Sequence, residues 1–348
     1  MIGGFMTGSS LSGALKIEEK EMVDSHHAAA RPLMLVADIG GTNSRFALCE
    51  KGSAALIAPK RYTNRDFPTL HDAAMTYLAE VGLKPEAACI AVACPVLGDH
   101  VQLTNYPVWA FSQHELQQQL GVQRLVTIND FSALAMAIPQ LDAQELHQVG
   151  GGAPLKHMPM VVLGPGTGLG VSGLLWTGKH YVPLQGEGGH VNFAPETDRE
   201  IEILKIGRRE HDGFFSAENA LCGSGFAFLY KALAEIEGWE ETSLPVEEIT
   251  RRAVESHCPN CVDVIDTFCG LLGSFSGNLA LTLGAFGGVY IGGGIIPRFG
   301  MLFDHSPFRS RFEGKGRFRN YISPIPTYVI QSHMHAALLG SVAVLESQ

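Results

Sequence analysis

The sequence predicts a mixed α/β chain divided into two domains, on three observations. Helix-like and strand-like segments alternate along its length. At 348 residues it exceeds what one hydrophobic core usually supports. A pattern of apolar strand, glycine-rich turn and second strand occurs near Met34 and again near Met160, as two related halves would repeat it.

Taken in order, residues 1 to 31 mix Gly, Ser, charged residues and His26-His27 without a period. They read as a poorly ordered extension outside the fold, too short for a helix-turn-helix module. From Met34, MLVADIG and SRFALCE read as strands around a GTN turn, with a further turn at Lys51-Gly52. FPTLHDAAMTYLAEVG follows as a helix, ACIAVACPV as a buried strand, SQHELQQQLG as a helix and RLVTIND as a strand. The second half opens with PMVVLGPGTG and the hairpin GVSGLLWTGKHYVPL. Helices are expected near 199–209, 226–237, 246–256 and 262–284, then strands at VYIGGG and TYVIQ and a closing helix from about Ala336. Neighbouring termini are common in two-domain chains, so the closing helix is expected to return to the first domain. The expected division is 32–140 with 331–348 as a small α/β domain, and 141–330 as a larger one.

Charge narrows the partners. The net charge is −10 and no Lys/Arg-rich run occurs, which argues against nucleic acid or an anionic membrane surface. An anionic ligand would then rely on backbone N–H groups and a divalent metal. The seven cysteines are scattered and odd in number, as reduced thiols in the cytoplasm would be. Cys258-Pro-Asn-Cys261 has no second pair at zinc-finger spacing and no thioredoxin-like surroundings, and reads as ordinary thiols. Glu18, Glu19 and Glu21 sit badly with a transit peptide, and no basic segment precedes an apolar run. The uncharged stretch from Thr267 to Pro297 is longer than the ~20 residues a bilayer requires. Ser274, Ser276, Asn278, Thr282 and several glycines interrupt it, so it reads as a buried helix followed by a strand.

Three glycine-rich turns follow apolar strands: Asp38-Ile39-Gly40-Gly41-Thr42-Asn43, Gly164 to Gly170, and Gly292-Gly293-Gly294. Any one could be a simple hairpin turn. Together they favour phosphate binding, because such turns bring backbone amides against phosphate oxygens. No G-x-x-x-x-G-K-[ST], H-R-D or D-F-G string occurs, so the P-loop and protein-kinase folds are excluded. Gly168-Leu-Gly-Val-Ser-Gly173 matches G-x-G-x-x-G, but it opens an expected hairpin where a dinucleotide site needs a helix. Asp38 ends a strand before a glycine pair, where a carboxylate can face a metal carried by phosphates or can form an Asx turn. Asn129-Asp130 ends another strand, and Asp130 suits a general base or a helix N-cap. Glu187-Gly-Gly-His190 can converge on a small polar ligand or be ordinary loop polarity, and Glu218 suits the first turn of a helix.

DIGGTNSRFAL, INDFSA, LGPGTGLG, GEGGH, SAE and GGVYIGGGIIPRF, in this order, resemble the bacterial glucokinase family of the hexokinase, actin and Hsp70 superfamily. The resemblance runs from about Met34 to near the C-terminus. It implies a two-domain, actin-like ATPase (ribonuclease H-like) fold with an interdomain cleft, and phosphorylation of glucose by ATP with Mg²⁺ as the first step of glycolysis. It implies that Asp130 is the general base and that Asn129, Glu187, His190 and Glu218 bind the other sugar hydroxyls. It also implies that Ala37, Asp38, Ile39, Gly40, Gly41 and Thr42, with Gly166, Thr167 and Gly168, hold the ATP phosphates. Gly292, Gly293 and Gly294 would lie near the adenosine, Asp38 near Mg²⁺, and the protein would be a homodimer. The repressor, open-reading-frame and kinase family carries a zinc motif that this sequence lacks, so no metal is assigned to the protein itself. The segment HMHAALLGS follows the family's final helix only loosely. A sugar-responsive regulator or ATPase of the same fold, and a kinase for another hexose, are the competing readings.

Overall fold

The computed structural model describes residues 31–331 and 336–347. The extension expected before residue 32 and the start of the HMHAALLGS segment lie outside the described residues, Arg31 apart. The chain opens with β1 (Leu33–Ile39) and β2 (Asn43–Glu50), an antiparallel hairpin around the first glycine turn. β3 (Ile57–Thr63) adds to the edge of β2, and its register shifts between Phe46 and Leu48. It was not expected from the sequence. Pro59, Lys60 and Arg61 hide its alternation, and Pro and exposed charge are the marks of a protected edge strand.

Helix α1 (Leu70–Val81), capped by Thr69, crosses to β4 (Ala87–Val92), which runs parallel to β1. A small hairpin, β5 (His100–Gln102) and β6 (Ala110–Ser112), precedes α2 (Gln113–Leu120) and β7 (Arg124–Asn129), which is parallel to β4. The first sheet therefore has the order β3-β2-β1-β4-β7. Helix α3 (Asp130–Ala137) starts directly from the end of β7.

The second sheet repeats this plan. β8 (Leu146–Gln148) forms an edge; β9 (Met160–Pro165), β10 (Leu169–Trp176) and β11 (Tyr181–Leu184) form an antiparallel meander. Helices α4 (Asp198–Glu210), α5 (Ala217–Ala220), α6 (Gly223–Glu237) and α7 (Val246–Ser256) follow. Then come α8 (Pro259–Leu283) and β12 (Val289–Ile291), parallel to β9. Short helices α9 (Met301–His305), α10 (Phe308–Glu313) and α11 (Arg319–Ile322) lead to β13 (Thr327–Ile330), parallel to β12. The order β11-β10-β9-β12-β13-β8 is the first sheet's pattern with one strand added. The repeated strand, turn and strand seen in the sequence is thus the opening of a repeated sheet.

Helix α8 is long and apolar enough to cross a membrane by length and composition. In this fold it is a core helix, with Val264, Ile265, Phe268 and Leu272 fully buried beneath the second sheet. Glu200 of α4 is also buried and accepts two bonds from Arg311 of α10, at 2.7 and 3.1 Å. Arg311 reaches Ser274 of α8 as well, at 3.0 Å, so one guanidinium ties three helices together.

The closing helix α12 (Ala336–Glu346) joins α3 in an apolar layer that draws side chains from both sheets. A Cβ at Gly340 would lie 1.7 Å from the Ala133 carbonyl oxygen, so the two helices approach to backbone contact there. This is the return toward the first sheet that the sequence predicts, and it fixes the helix that carries Asp130.

Candidate active site

In both sheets the parallel strands end on the same edge as the glycine turns. Ile39, Val92 and Asn129 lie side by side in register, so the first turn and the Asn129-Asp130 pair leave one sheet edge together. β9 and β12 do the same for the second and third turns.

The first turn is pinned by Asn64, which is buried. Its Nδ2 donates to the Gly40 carbonyl at 2.8 Å, its amide donates to the Thr42 carbonyl at 2.9 Å, and Ser44 Oγ donates to its Oδ1 at 2.6 Å. In the second turn, Gly166 N–H donates to Gly168 at 2.8 Å, and Gly223 N–H at the start of α6 donates to Gly166 at 2.8 Å. The third turn packs directly on the second: Gly293 has φ +83°, and a Cβ there would lie 2.3 Å from the Pro165 carbonyl. Among the described residues, the amides of Gly41, Thr42, Thr167, Gly168, Gly293 and Gly294 donate no intramolecular hydrogen bond. Three turns therefore offer unpaired donors, which is the chemistry that cradles oxyanions. Ala37 and Ile39 are different. Their side chains are buried in the first sheet's core and their backbones pair with β2 and β4, so of this strand only Asp38 presents a functional group.

Asp38 stands opposite Arg45 in the first hairpin, and Arg45 Nη1 donates to its Oδ2 at 2.7 Å. Burial pushes the Asp38 carboxyl above its ordinary range, and the Arg45 charge and hydrogen bond oppose that push. Its Oδ1 takes no hydrogen bond among the described residues.

The N-cap of α3 is Asn129, not Asp130: Asn129 Oδ1 accepts from Phe131 N–H at 3.0 Å and Ser132 N–H at 3.2 Å. That leaves Asp130 as the first helical residue. Its Oδ1 accepts from Phe131 N–H at 2.9 Å and from Asn129 Nδ2 at 3.0 Å. Burial raises its carboxyl to about 7, helped by the negative charges of Asp38 and Glu187 and opposed by the backbone amides of the helix start. The neighbouring Cys94 thiol is pushed up to about 11 by burial and by the charges of Asp130 and Glu187.

The ring of Phe131 lies where a Cβ on Gly170 would be, 1.9 Å away, which seats the start of α3 on the second hairpin. Gly189 presses on the same hairpin, its Cβ position 2.2 Å from the Leu169 carbonyl, and so carries the Glu187 to His190 turn alongside. Both Glu187 and His190 are exposed, with His190 Nε2 3.8 Å from Glu218 Oε1. Glu218 lies in the first turn of α5 after the Ser216 cap, as the sequence predicts. Its Oε2 accepts from Leu169 N–H at 2.8 Å, a link to the second glycine turn with no sequence signal.

A family model described as Glucokinase matches residues 35–348. The chain belongs to the glucokinase family. It is 47% identical over 311 residues to a glucokinase from Cronobacter sakazakii and likewise to one from Salmonella typhi, covering 89% of this chain and 96% of each relative. A crystal structure of a glucokinase from an Antarctic psychrotroph superposes with a TM-score of 0.83 at 37% identity, covering 91% of this chain and 99% of that one. A glucokinase from Balamuthia mandrillaris, solved in complex with glucose, shares the fold with a TM-score of 0.76 at 20% identity, covering 92% and 95%. The glucokinase family membership brings with it the two-domain actin-like ATPase fold, in agreement with the two sheets of matching strand order.

Proposed function

We propose that this protein is a hexose kinase that transfers the γ-phosphoryl group of ATP to the 6-hydroxyl of D-glucose, with Asp130 as the general base. The observation that carries the reading is the position of Asp130: a partly buried carboxyl just past the end of a parallel strand, raised to about 7, beside glycine turns with unpaired amides. A base tuned near neutral pH is matched to its task. The close sequence relatives are glucokinases, and a structural neighbour of the same fold was solved with glucose and AMPPNP.

In this reading Asn129, Glu187, His190 and Glu218 hydrogen-bond the remaining sugar hydroxyls and orient O6. Gly40 to Thr42 and Gly166 to Gly168 hold the phosphates, and Gly292 to Gly294 lie near the adenosine. The O6–Pγ bond forms as the bond from Pγ to the β,γ-bridging oxygen breaks; ADP leaves and the O6 proton passes to Asp130. The transition state needs positioning and charge neutralisation more than covalent work. Among the described residues no cluster of three His, Cys, Asp or Glu could hold a metal ion on its own. The half-buried Asp38, with Oδ1 unengaged, fits a Mg²⁺ ion that arrives with the nucleotide, whose role is to neutralise phosphate charge. Residues 32–140 with 331–348 form one domain and 141–330 the other, and they close on the sugar to exclude water. We also place the enzyme in the cytoplasm, as a homodimer.

The test is ADP release from Mg-ATP with glucose, mannose, fructose or no sugar, for the wild type and Asp130→Ala. Turnover that requires glucose and is lost in the variant supports the reading. Turnover without sugar, or a variant as fast as the wild type, overturns it.

A further inference from the structure

The paired cysteines of Cys258-Pro-Asn-Cys261 play no part in the chemistry above. Cys258 is the N-cap of α8 and Cys261 lies one turn on, at the third helical position. The Cys258 amide donates to the Arg252 carbonyl at 3.1 Å, and its carbonyl accepts from Val262 N–H at 2.9 Å, so the backbone around it is fixed at both sides. N-cap and third-position side chains are neighbours in a helix start, and Cys258 adds to the upward push on the Cys261 thiol. One turn of helix lies within the about 4.4–6.8 Å of Cα separation that a disulfide spans. The two residues differ in access: Cys258 is partly exposed and Cys261 is buried. Cys49, Cys89, Cys94, Cys222 and Cys269 are each buried, and none has a second cysteine one turn away on its own helix.

We propose that Cys258 and Cys261 form a thiol–disulfide exchange site that takes low-molecular-weight disulfides of the glutathione type. Cys258 is the attacking sulfur. Its thiolate displaces one glutathione thiolate and forms a mixed disulfide. The Cys261 thiol then gives up its proton to solvent and attacks the Cys258 sulfur, releasing the second glutathione. Two electrons pass from the cysteine pair to the glutathione disulfide, which is reduced to two thiols. Burial pushes the Cys261 thiol up to about 12, so it waits on its partner and does not react first. The bond closes within the first turn of α8, so the cleft residues are left in place.

The folded protein is equilibrated with oxidised glutathione, quenched with acid and mapped by mass spectrometry without reduction. The expected result is a Cys258–Cys261 bridge in the wild type, reversed by dithiothreitol, with the other five thiols unmodified. Cys261→Ser should instead trap a glutathione adduct on Cys258, while Cys258→Ser should take up none. Circular dichroism of both variants shows that each is folded when it is tested. A wild type that keeps both thiols, or that carries a stable adduct like the Cys261→Ser variant, overturns the proposal.

Discussion

Arg45 and Asp38 face each other across the first hairpin, with Nη1 and Oδ2 2.7 Å apart at the edge of the glycine turn. The pairing opposes the effect of burial and favours the charged carboxylate. Arg45→Gln removes that opposition, so the Asp38 carboxyl rises further and is protonated at a higher pH. The acid limb of kcat/KM for Mg-ATP should move upward in pH. Loss of a charge-assisted bond of ~1.5–3 kcal/mol corresponds to roughly a ten- to hundredfold fall. Arg45→Lys should recover part of it, since it restores the charge without the planar fork.

The raised carboxyl of Asp130 sets two pH dependences. With glucose varied, kcat/KM of the wild type should fall below about 7, where the base becomes protonated. Asp130→Asn should cost ~10²–10⁴ in turnover while glucose binding, followed by calorimetry, persists. Stability runs the other way. Because the folded value lies above the unfolded one, 3.8, the native contribution of Asp130 is complete below about 4 and is lost as pH rises through about 7. Asp130→Asn should therefore raise the unfolding free energy measured in urea at pH 8, by at most about 4 kcal/mol, with the gain shrinking toward pH 4.

Gly168 sits in a turn proposed to hold phosphate, yet a Cβ there would lie 2.5 Å from Glu218 Oε2. Gly168→Ala should displace the Glu218 carboxylate and so raise KM for glucose as well as for ATP. Steady-state kinetics with each substrate varied separately checks this. An effect confined to ATP would mean that Glu218 does not contact the sugar.

Arg311→Met leaves Glu200 buried and without its bidentate partner. Breaking such a pair costs ~3–5 kcal/mol, far more than an exposed ion pair. Urea unfolding should show that loss, with kcat of the folded variant unchanged because the network lies among α4, α8 and α10. Arg311→Met combined with Glu200→Gln should recover part of it.

What the sequence made legible follows from how local each signal is. β1, β2, β4, β7, β9 and the core of α8 declare themselves through apolar runs bounded by Gly, Asn or Pro, and each lies where it was expected. Arg45 is legible in the same way, since counting outward from the turn at Gly40 to Asn43 puts it opposite Asp38. Asn64 is not, because it follows an edge strand whose alternation is interrupted, and its partners are 20 and 24 residues away. Glu218 was proposed as a sugar ligand, but its bond to Leu169 joins positions 49 apart with no shared period. The assignment of the α3 cap turned on a single residue, and only the hydrogen bonds distinguish Asn129 from Asp130.

The contact between Gly340 and Ala133 joins α12 to a helix made about two hundred residues earlier. During synthesis the first sheet and α3 leave the ribosome long before α12 exists, and their shared apolar face stays open to water throughout elongation. Completion of the region around Asp130 thus waits on the synthesis of α12, and a nascent chain released before that helix would present a sticky surface.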